Sequence, residues 1–226
     1  MKVGVLFSGG KDSCLALYKA MKEYEVACLI TIKSENPESY MFHVPNIGIT
    51  KMQAEAIGIP LLEKETKGEK EKELSDLRDA VSLAVERFGI EGLVTGAICS
   101  VYQASRIEKI CSALSISCIN PLWMREQIGI LEELLDNNFE VVVSGVFAFP
   151  LDREFLGKTI DRKMIAKLKF LQDKYKINPA GEGGEIETTV LNAPFFRKRI
   201  EITDSEISYH SNSGVFLIKS AKLSEK

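Results

Sequence analysis

Apolar residues in the first half of the chain alternate between two spacings. Mostly apolar runs, typical of buried β-strands, occur at residues 3–7, 25–33 and 93–95, and the more mixed runs at 60–66 and 117–120 predict two further strands. Between these runs, apolar residues recur at the spacing of amphipathic helices, as at Leu77, Val81 and Ala84. Strands that alternate with helices over residues 1–119 predict an α/β fold with a doubly wound, mostly parallel sheet.

The second half of the chain has a different order of elements. Its pattern predicts a helix at residues 125–135, a strand at 139–146, a helix that carries Met164, Leu168 and Leu171, and strands at 189–191, 197–207 and 215–220. Pro121 begins a rigid connection between the two halves. We therefore predict two domains, one at residues 1–120 and a smaller C-terminal α+β domain at residues 121–226.

Composition narrows the class of protein. The 29 basic and 32 acidic residues give a formal net charge of -3, so the composition does not indicate nonspecific binding to nucleic acid. No apolar run reaches the length of a membrane span. The five cysteines form no C-x-x-C pair, and we interpret them as reduced core residues. Since the first strand begins at once, without a leader segment, we expect a cytoplasmic enzyme.

The most informative stretch lies between the first predicted strand and the first predicted helix. It reads Ser8-Gly9-Gly10-Lys11-Asp12-Ser13. Unpaired backbone N–H groups and the positive end of the helix dipole meet at such a junction. Glycines let a phosphate approach the backbone closely, the serine hydroxyls are donors, and the lysine adds a positive charge. We therefore predict a phosphate site and name residues 8–13 the phosphate loop.

Two familiar phosphate motifs do not fit the phosphate loop. A Walker loop would need glycine in place of Val5 and a hydroxyl residue in place of Asp12, and the dinucleotide fingerprint cannot be written here. The loop instead resembles the SGGxDS motif of the N-type ATP pyrophosphatases, in the adenine-nucleotide alpha-hydrolase-like superfamily. These enzymes cut ATP between its α and β phosphates and adenylate a substrate. The alternative is an ordinary strand-turn-helix joint that Ser13 or Asp12 caps.

Three residues outside the phosphate loop are candidates for nucleotide contacts. His43 follows the second strand, where ligands collect in parallel sheets, and it is either a ligand-facing side chain or a bystander. Arg106 is predicted in the first turn of a helix, where the dipole disfavours a cation unless an anion is held nearby. Tyr102, four residues earlier, shares its face. The alternative for Arg106 is an ion pair with Glu108 or Glu126.

A second unusual stretch concentrates glycines and carboxylates near the C-terminal strands. It reads Gly181-Glu182-Gly183-Gly184-Glu185-Ile186-Glu187-Thr188, and we name it the acidic segment. Clustered carboxylates repel each other unless a cation or a shared proton relieves them. We therefore predict a site for a cation, and a solvated hairpin turn is the alternative.

Several motifs together carry a resemblance to one family. Besides the phosphate loop they are the run from Gly96 to Glu108, Pro121-Leu122-Trp123, Asn178-Pro179 and the acidic segment. In this combination the chain resembles the diphthine-ammonia ligase family over residues 3–196. The resemblance implies a HUP/Rossmann-like sheet, with residues 1–120 binding ATP and residues 121–226 binding the substrate.

The resemblance also implies an activity and a set of site residues. The activity is amidation of diphthine on translation elongation factor 2 by ammonium, through an acyl adenylate, with ATP giving AMP and pyrophosphate. Asp12 would help to hold Mg²⁺. The catalytic residues would be Lys11, Asp12, Glu182, Glu185 and Glu187. The nucleotide would be bound by Ser8, Gly9, Gly10, Lys11, Asp12, Ser13, His43, Gly96, Tyr102, Gln103 and Arg106.

Two other functions stay open at this point. Another adenylating enzyme of the same superfamily would act on tRNA, although this chain has no C-x-x-C pair for sulfur transfer and no basic patch. A nucleotide-binding sensor of the universal-stress type would share the sheet and would need neither Asp12 nor the acidic segment. We expect no membrane partner and no direct contact with nucleic acid, and the sequence leaves open whether the protein is a homo-oligomer.

Overall fold

The computed structural model describes residues 1–36, 45–69 and 72–226. The strands are β1 (Lys2–Leu6), β2 (Glu25–Ser34), β3 (Leu61–Thr66), β4 (Gly92–Val94), β5 (Ser117–Ile119), β6 (Glu140–Val146), β7 (Ile186–Asn192), β8 (Arg199–His210) and β9 (Ser213–Ser224). The α-helices are α1 (Lys11–Glu23), α2 (Thr50–Ile57), α3 (Lys72–Phe88), α4 (Val101–Ala113), α5 (Gln127–Asp136) and α6 (Arg162–Tyr175). Short 3-10 helices occur at Ile47–Ile49 and Arg153–Phe155.

The first five strands form one parallel sheet in the order β3-β2-β1-β4-β5. The chain moves outward from β1 to β3 and then crosses back to β4, on the other side of β1. The winding direction therefore reverses between β1 and β4, and the carboxyl ends of these two strands open a crevice where such folds bind ligands. The predicted doubly wound α/β architecture is confirmed.

The remaining strands form a separate antiparallel sheet in the order β7-β6-β9-β8. Helices α5 and α6 belong to this half of the chain and contact each other. The prediction of a smaller α+β part is thereby confirmed. The sheet also carries β7 toward the phosphate loop, since α1 and β7 are in contact.

One hydrophobic core runs from the first sheet into the second. It includes Val5 of β1, Leu15 of α1, Leu131 of α5, Val143 of β6 and Phe216 of β9. A second, smaller cluster packs α3 and α4 against the first sheet. Because the larger core is continuous, the division into two domains after residue 120 stays a prediction.

Some element boundaries differ from the predicted ones. α4 begins directly after Ser100, whose hydroxyl accepts a hydrogen bond from a backbone N–H of the first turn and so caps the helix. Arg106 therefore lies in the second turn of α4, and its predicted place in the first turn is wrong. β7 begins earlier than predicted, at Ile186, so Glu187 belongs to a strand.

Met21 and Cys99 are two apolar residues that lie exposed at the surface. Met21 on α1 is exposed and does not belong to the buried face of that helix. All five cysteines are free, as expected, but Cys99 is exposed, so the interpretation of every cysteine as a core residue is wrong there. No helix in the described part of the chain is long and apolar enough to cross a membrane.

Substitution of Leu131 tests whether the two sheets share one core. This residue is fully buried, and Leu131→Ala should lower the free energy of unfolding by about 2–5 kcal/mol through lost contacts and the cavity left behind. Circular dichroism and Trp123 fluorescence should report the same transition, at the same lowered denaturant concentration.

Met21→Ala is the matched control, because an exposed side chain should change the free energy of unfolding by less than about 0.5 kcal/mol. Two separate transitions in Leu131→Ala, only one of them shifted, would contradict a continuous core.

Candidate functional site

The phosphate loop leaves the carboxyl end of β1 and enters α1. Gly9 has a φ of 77°, a left-handed conformation that favours glycine. A side chain at Gly9 would collide with Gln53 of α2. The Gln53 amide nitrogen donates hydrogen bonds to the carbonyl of Gly9 at 2.9 Å and to that of Val190 at 2.8 Å. The conformation of the loop is therefore fixed by contacts with α2 and β7.

The hydroxyl groups of the phosphate loop lie at the start of α1. The Ser8 hydroxyl donates to the Ser13 hydroxyl at 3.3 Å, and the Ser13 hydroxyl also reaches the carbonyl of Gly10 at 3.0 Å. Gly10 occupies the cap position of α1 and has no side chain with which to cap the helix. A helix N-terminus of this kind, with hydroxyl donors beside it, is suited to an anion.

Lys11 connects the phosphate loop to the acidic segment. Its backbone N–H donates to Thr188 Oγ1 at 3.1 Å. Its side chain is buried, and the ammonium group contacts Asp12 Oδ2 at 2.8 Å and the carbonyl oxygen of Ala180. A buried ammonium group is stable only when it is paired and hydrogen-bonded. Lys11 therefore holds residues from the two ends of the chain in one arrangement.

The Gly96 loop (residues 95–100) follows β4 on the other side of the crevice. A Cβ atom on Gly96 would lie 2.9 Å from the backbone carbon of Asp12 and 2.9 Å from the backbone nitrogen of Ser13. Glycine is therefore required for this close approach. The hydroxyl of Thr95 donates to Asn120 Oδ1 at 2.5 Å, which anchors the loop to the end of β5.

The three glutamates of the acidic segment have different contacts. Glu182 Oε1 accepts a hydrogen bond from the Cys99 N–H at 2.8 Å and so joins the segment to the Gly96 loop. Glu185 Oε1 accepts from the backbone N–H of Asn178 at 3.2 Å and from its side-chain amide at 2.8 Å, which holds the turn before β7. Glu187, on β7, faces the cavity described next.

The phosphate loop, the Gly96 loop and the acidic segment enclose a cavity of about 340 Å³, a volume in the range of small-molecule sites. Its polar lining includes Ser8, Gly10, Lys11, Asp12, Ser13, Gly96, Gln103, Glu182, Glu187 and Thr188. Its apolar lining includes Phe7, Ile30, Ile32, Ile47 and Ile107. The cavity lies at the switch point between β1 and β4, as expected for a doubly wound sheet.

Glu187 is a carboxyl group of the cavity whose pKa is raised by burial. Burial raises the pKa of Glu187 from its ordinary value of 4.5 to about 7, while Lys11 opposes the rise and Asp12 adds to it. A carboxyl group with such a pKa is suited to accept and release a proton under physiological conditions.

Asp12 fits one ligand of a divalent cation. Its Oδ2 pairs with Lys11, while its Oδ1 is buried without a hydrogen-bond partner in the described part of the chain. Across residues 1–36, 45–69 and 72–226, no group of three or more His, Cys, Asp or Glu side chains is arranged to hold a metal ion. Mg²⁺ needs only one or two protein carboxylates when the phosphate oxygens of a substrate supply other ligands, so Asp12 suits it.

The predicted nucleotide residues on α4 divide into two groups. Gly96 and Gln103 line the cavity, whereas Tyr102 and Arg106 are not among its lining residues. The guanidinium carbon of Arg106 lies 3.4 Å from the centroid of the Tyr102 ring, and the group donates to the Tyr102 carbonyl at 3.3 Å. Their predicted position on one face of the helix is confirmed, and their role in nucleotide binding stays a prediction.

Sequence reasoning missed two residues that hold the loops in place. Thr188 was read only as the end of the acidic segment, yet it accepts the hydrogen bond of the Lys11 backbone. Gln53 is a fully buried amide on α2, and a polar residue among apolar helix positions was the available signal.

Gly9 and Glu185, which were predicted as site residues, shape the phosphate loop and the acidic segment and do not line the cavity. His43 lies outside the described residues.

Comparison with known proteins gives consistent matches along the chain. The family models for the diphthamide synthase N-terminal domain and the diphthamide synthase C-terminal domain match residues 1–118 and 126–224. Diphthine-ammonia ligase of Rattus norvegicus is 33% identical over 93% of this chain and 86% of that protein, and the Homo sapiens enzyme is 32% identical with the same coverage. The enzyme of the same name from Schizosaccharomyces pombe is 32% identical over 97% of this chain, which spans 39% of that protein.

Among solved structures, the predicted subunit of tRNA methyltransferase from Methanocaldococcus jannaschii aligns with 86% of this chain and 98% of its own, at a TM-score of 0.45 and 18% identity. The sequence matches alone determine the family. Since two family models cover most of the chain, and the Rattus norvegicus and Homo sapiens enzymes exceed 30% identity over most of both chains, this chain belongs to the diphthine-ammonia ligase family.

Proposed function

We propose that this protein joins ammonia to the carboxylate of diphthine on translation elongation factor 2, while ATP is converted to AMP and pyrophosphate. The observation that carries the proposal is the contact of the phosphate loop with the acidic segment, where the Lys11 N–H meets Thr188 Oγ1 at 3.1 Å beside a cavity that both line. One site thereby combines an anion-binding end with acidic groups for a cationic substrate. Membership of the diphthine-ammonia ligase family supports the same reaction.

The two ends of the cavity suit the two ends of ATP. The hydroxyls of Ser8 and Ser13 and the N-terminus of α1 would bind the β and γ phosphates, with the charge of Lys11 close by. The apolar side chains Ile30 and Ile107 would lie against the adenine. Asp12 would hold the Mg²⁺ that accompanies the phosphates, which neutralises part of their charge.

The reaction needs two steps because a carboxylate is a poor electrophile. In the first step, a diphthine carboxylate oxygen forms a bond to the α-phosphorus of ATP. The bond from that phosphorus to the bridging oxygen breaks, and pyrophosphate leaves with the electron pair. In the second step, the nitrogen of ammonia forms a bond to the acyl carbon and releases one proton to solvent, and AMP leaves with the electrons of the carbon–oxygen bond.

The three glutamates of the acidic segment would take separate roles in this reaction. Ammonium has no free electron pair until it loses a proton, and Glu187 is placed to accept that proton because its pKa is about 7. Glu182 would face the trimethylammonium group of diphthine, since it also lines the cavity. Glu185 would act as a positioning residue through its two hydrogen bonds to Asn178.

A translation factor as substrate also implies that the protein acts in the cytoplasm.

A reconstituted reaction tests the proposed function. The protein is incubated with ATP, ammonium and elongation factor 2 that carries diphthine, and the factor is analysed by mass spectrometry. We expect diphthine to be converted to its amide, with AMP and pyrophosphate formed in equal amounts. ATP turnover without any amide on the factor would refute the proposal.

Gly96→Ala tests whether the close approach of the two loops is needed for ATP binding. The added Cβ, 2.9 Å from the backbone of Asp12 and Ser13, would push the Gly96 loop away from the phosphate loop. Because a displacement of about 1 Å is enough to spoil a preorganised site, the dissociation constant for ATP should rise about tenfold or more in calorimetric titration.

Gly48→Ala is the matched control for Gly96→Ala. A Cβ at Gly48 has no heavy atom within 4 Å, so its ATP affinity should equal that of the unaltered protein. Equal ATP affinity in the two variants would show that the approach of the two loops is not required.

The pH dependence of stability tests the protonation of Glu187. The folded protein keeps the Glu187 proton up to a pH of about 7, whereas the unfolded chain releases it at about its ordinary pKa of 4.5. The folded state therefore binds more protons between these values, and the free energy of unfolding of the ligand-free protein should fall as pH rises through this window. Denaturant titrations at several pH values measure the fall.

Glu187→Gln removes the titrating group, so its free energy of unfolding should fall less over the same pH range. Leu83→Gln, at an exposed position on α3, is the control and should keep the full pH dependence. Identical pH profiles for Glu187→Gln and the unaltered protein would rule out Glu187 as the group that titrates near neutrality.

A further inference from the structure

Five large apolar side chains lie exposed on the segments next to the cavity. They are Val101, Trp123, Met124, Phe147 and Phe149, and we name them the apolar rim. Three of them are exposed over about two thirds of their surface or more, at 69% for Val101, 73% for Met124 and 66% for Phe149. Apolar surface in water is unfavourable, and grouped exposed apolar residues mark surfaces that bind other molecules.

Backbone hydrogen bonds tie the apolar rim to two of the loops that line the cavity. The Met124 N–H donates to the Ile98 carbonyl in the Gly96 loop at 2.7 Å. The Phe147 N–H donates to the Glu185 carbonyl in the acidic segment at 2.9 Å. Val101 is the first residue of α4 and follows the Gly96 loop directly. The rim therefore belongs to the same structural unit as the mouth of the cavity.

Met124 lies in a turn whose backbone conformation does not require a methionine side chain. Its φ is 57°, in the left-handed region that costs roughly 1–2 kcal/mol for a residue other than glycine. A glycine would relieve this cost, and the exposed methionine side chain gains little packing in return. The hydrogen bond from the Met124 N–H to the Ile98 carbonyl accounts for the backbone conformation, whereas no packing accounts for the choice of methionine over glycine. Methionine, with its flexible and polarisable side chain, suits an adaptable contact surface.

The proposed function identifies what covers the apolar rim. Diphthine is a side chain of a protein, so the polypeptide on either side of it must lie against the mouth while the side chain enters the cavity. The cation of that side chain would meet Glu182 inside, and the surrounding polypeptide would meet apolar residues outside. Met21 on α1 and Leu83 on α3 are also exposed, and neither is adjacent in sequence to the Gly96 loop or the acidic segment.

We propose that the apolar rim is the surface on which elongation factor 2 docks, with the polypeptide around its diphthine packed against Met124 and Val101. The proposal rests on the proposed function, because that function supplies a protein as the occupant. It adds that recognition of the substrate extends beyond the modified side chain, to residues that take no part in the chemistry.

Met124→Gly and Val101→Ser test the docking surface without risk to the fold. Glycine suits the φ of 57°, so the melting temperature of Met124→Gly should be unchanged or higher. Binding of diphthine-bearing elongation factor 2 is measured in the presence of a non-hydrolysable ATP analogue. Each variant removes an apolar side chain that the factor would bury in the complex. The dissociation constant and the KM for the factor should therefore rise by about tenfold, while kcat and ATP affinity stay unchanged.

Leu83→Ser is the matched control, since it removes an exposed apolar side chain from α3 and should leave binding of the factor unchanged. An unchanged dissociation constant in the double variant of Met124 and Val101 would overturn the proposal, as would absence of binding by the unaltered protein. A dimer that sedimentation detects and that Met124→Gly dissociates would assign the rim to a second copy of this chain instead. Binding through the rim without formation of any amide would refute the proposed function and leave the docking surface standing.

Discussion

The ammonium group of Lys11 is buried against Asp12 and the carbonyl of Ala180, and the backbone N–H of the same residue binds the hydroxyl of Thr188. The contacts with Ala180 and Thr188 join residues that are far apart in the sequence, at separations of 169 and 177 positions. A buried charge without its partners would cost several kcal/mol, so the ammonium is stable only where both halves of the chain supply oxygen atoms. Lys11, together with Gln53, therefore sets the position of the phosphate loop relative to β7.

This arrangement gives the residues of the site distinct tasks. Lys11 and Gln53 use their hydrogen bonds to hold neighbouring backbone in place. Asp12 keeps one buried oxygen without a hydrogen-bond partner in the described part of the chain, and Glu187 faces the cavity. The groups left for chemistry are thus presented by a backbone that other polar residues have fixed, which is how a preorganised site limits the cost of reorganisation during reaction.

The sequence predicted the doubly wound sheet and the importance of both glycine-rich stretches, because periodicity and glycine placement are local properties. The cap at Ser100, which moves Arg106 into the second turn, was hidden because several nearby residues were equally able to start the helix. The different tasks of Glu182, Glu185 and Glu187 were also beyond prediction. Each depends on a partner elsewhere in the chain, such as the Cys99 N–H or Asn178, and one-dimensional spacing does not reveal such partners.

The continuous core that links Val5 and Leu15 to Leu131 and Phe216 has a consequence for the history of this protein. Each half buries part of its apolar surface against the other, so the first sheet made alone would expose apolar side chains to water. The two parts are constrained to evolve as a single inherited unit, and replacements at their junction must be compensated on the opposite side.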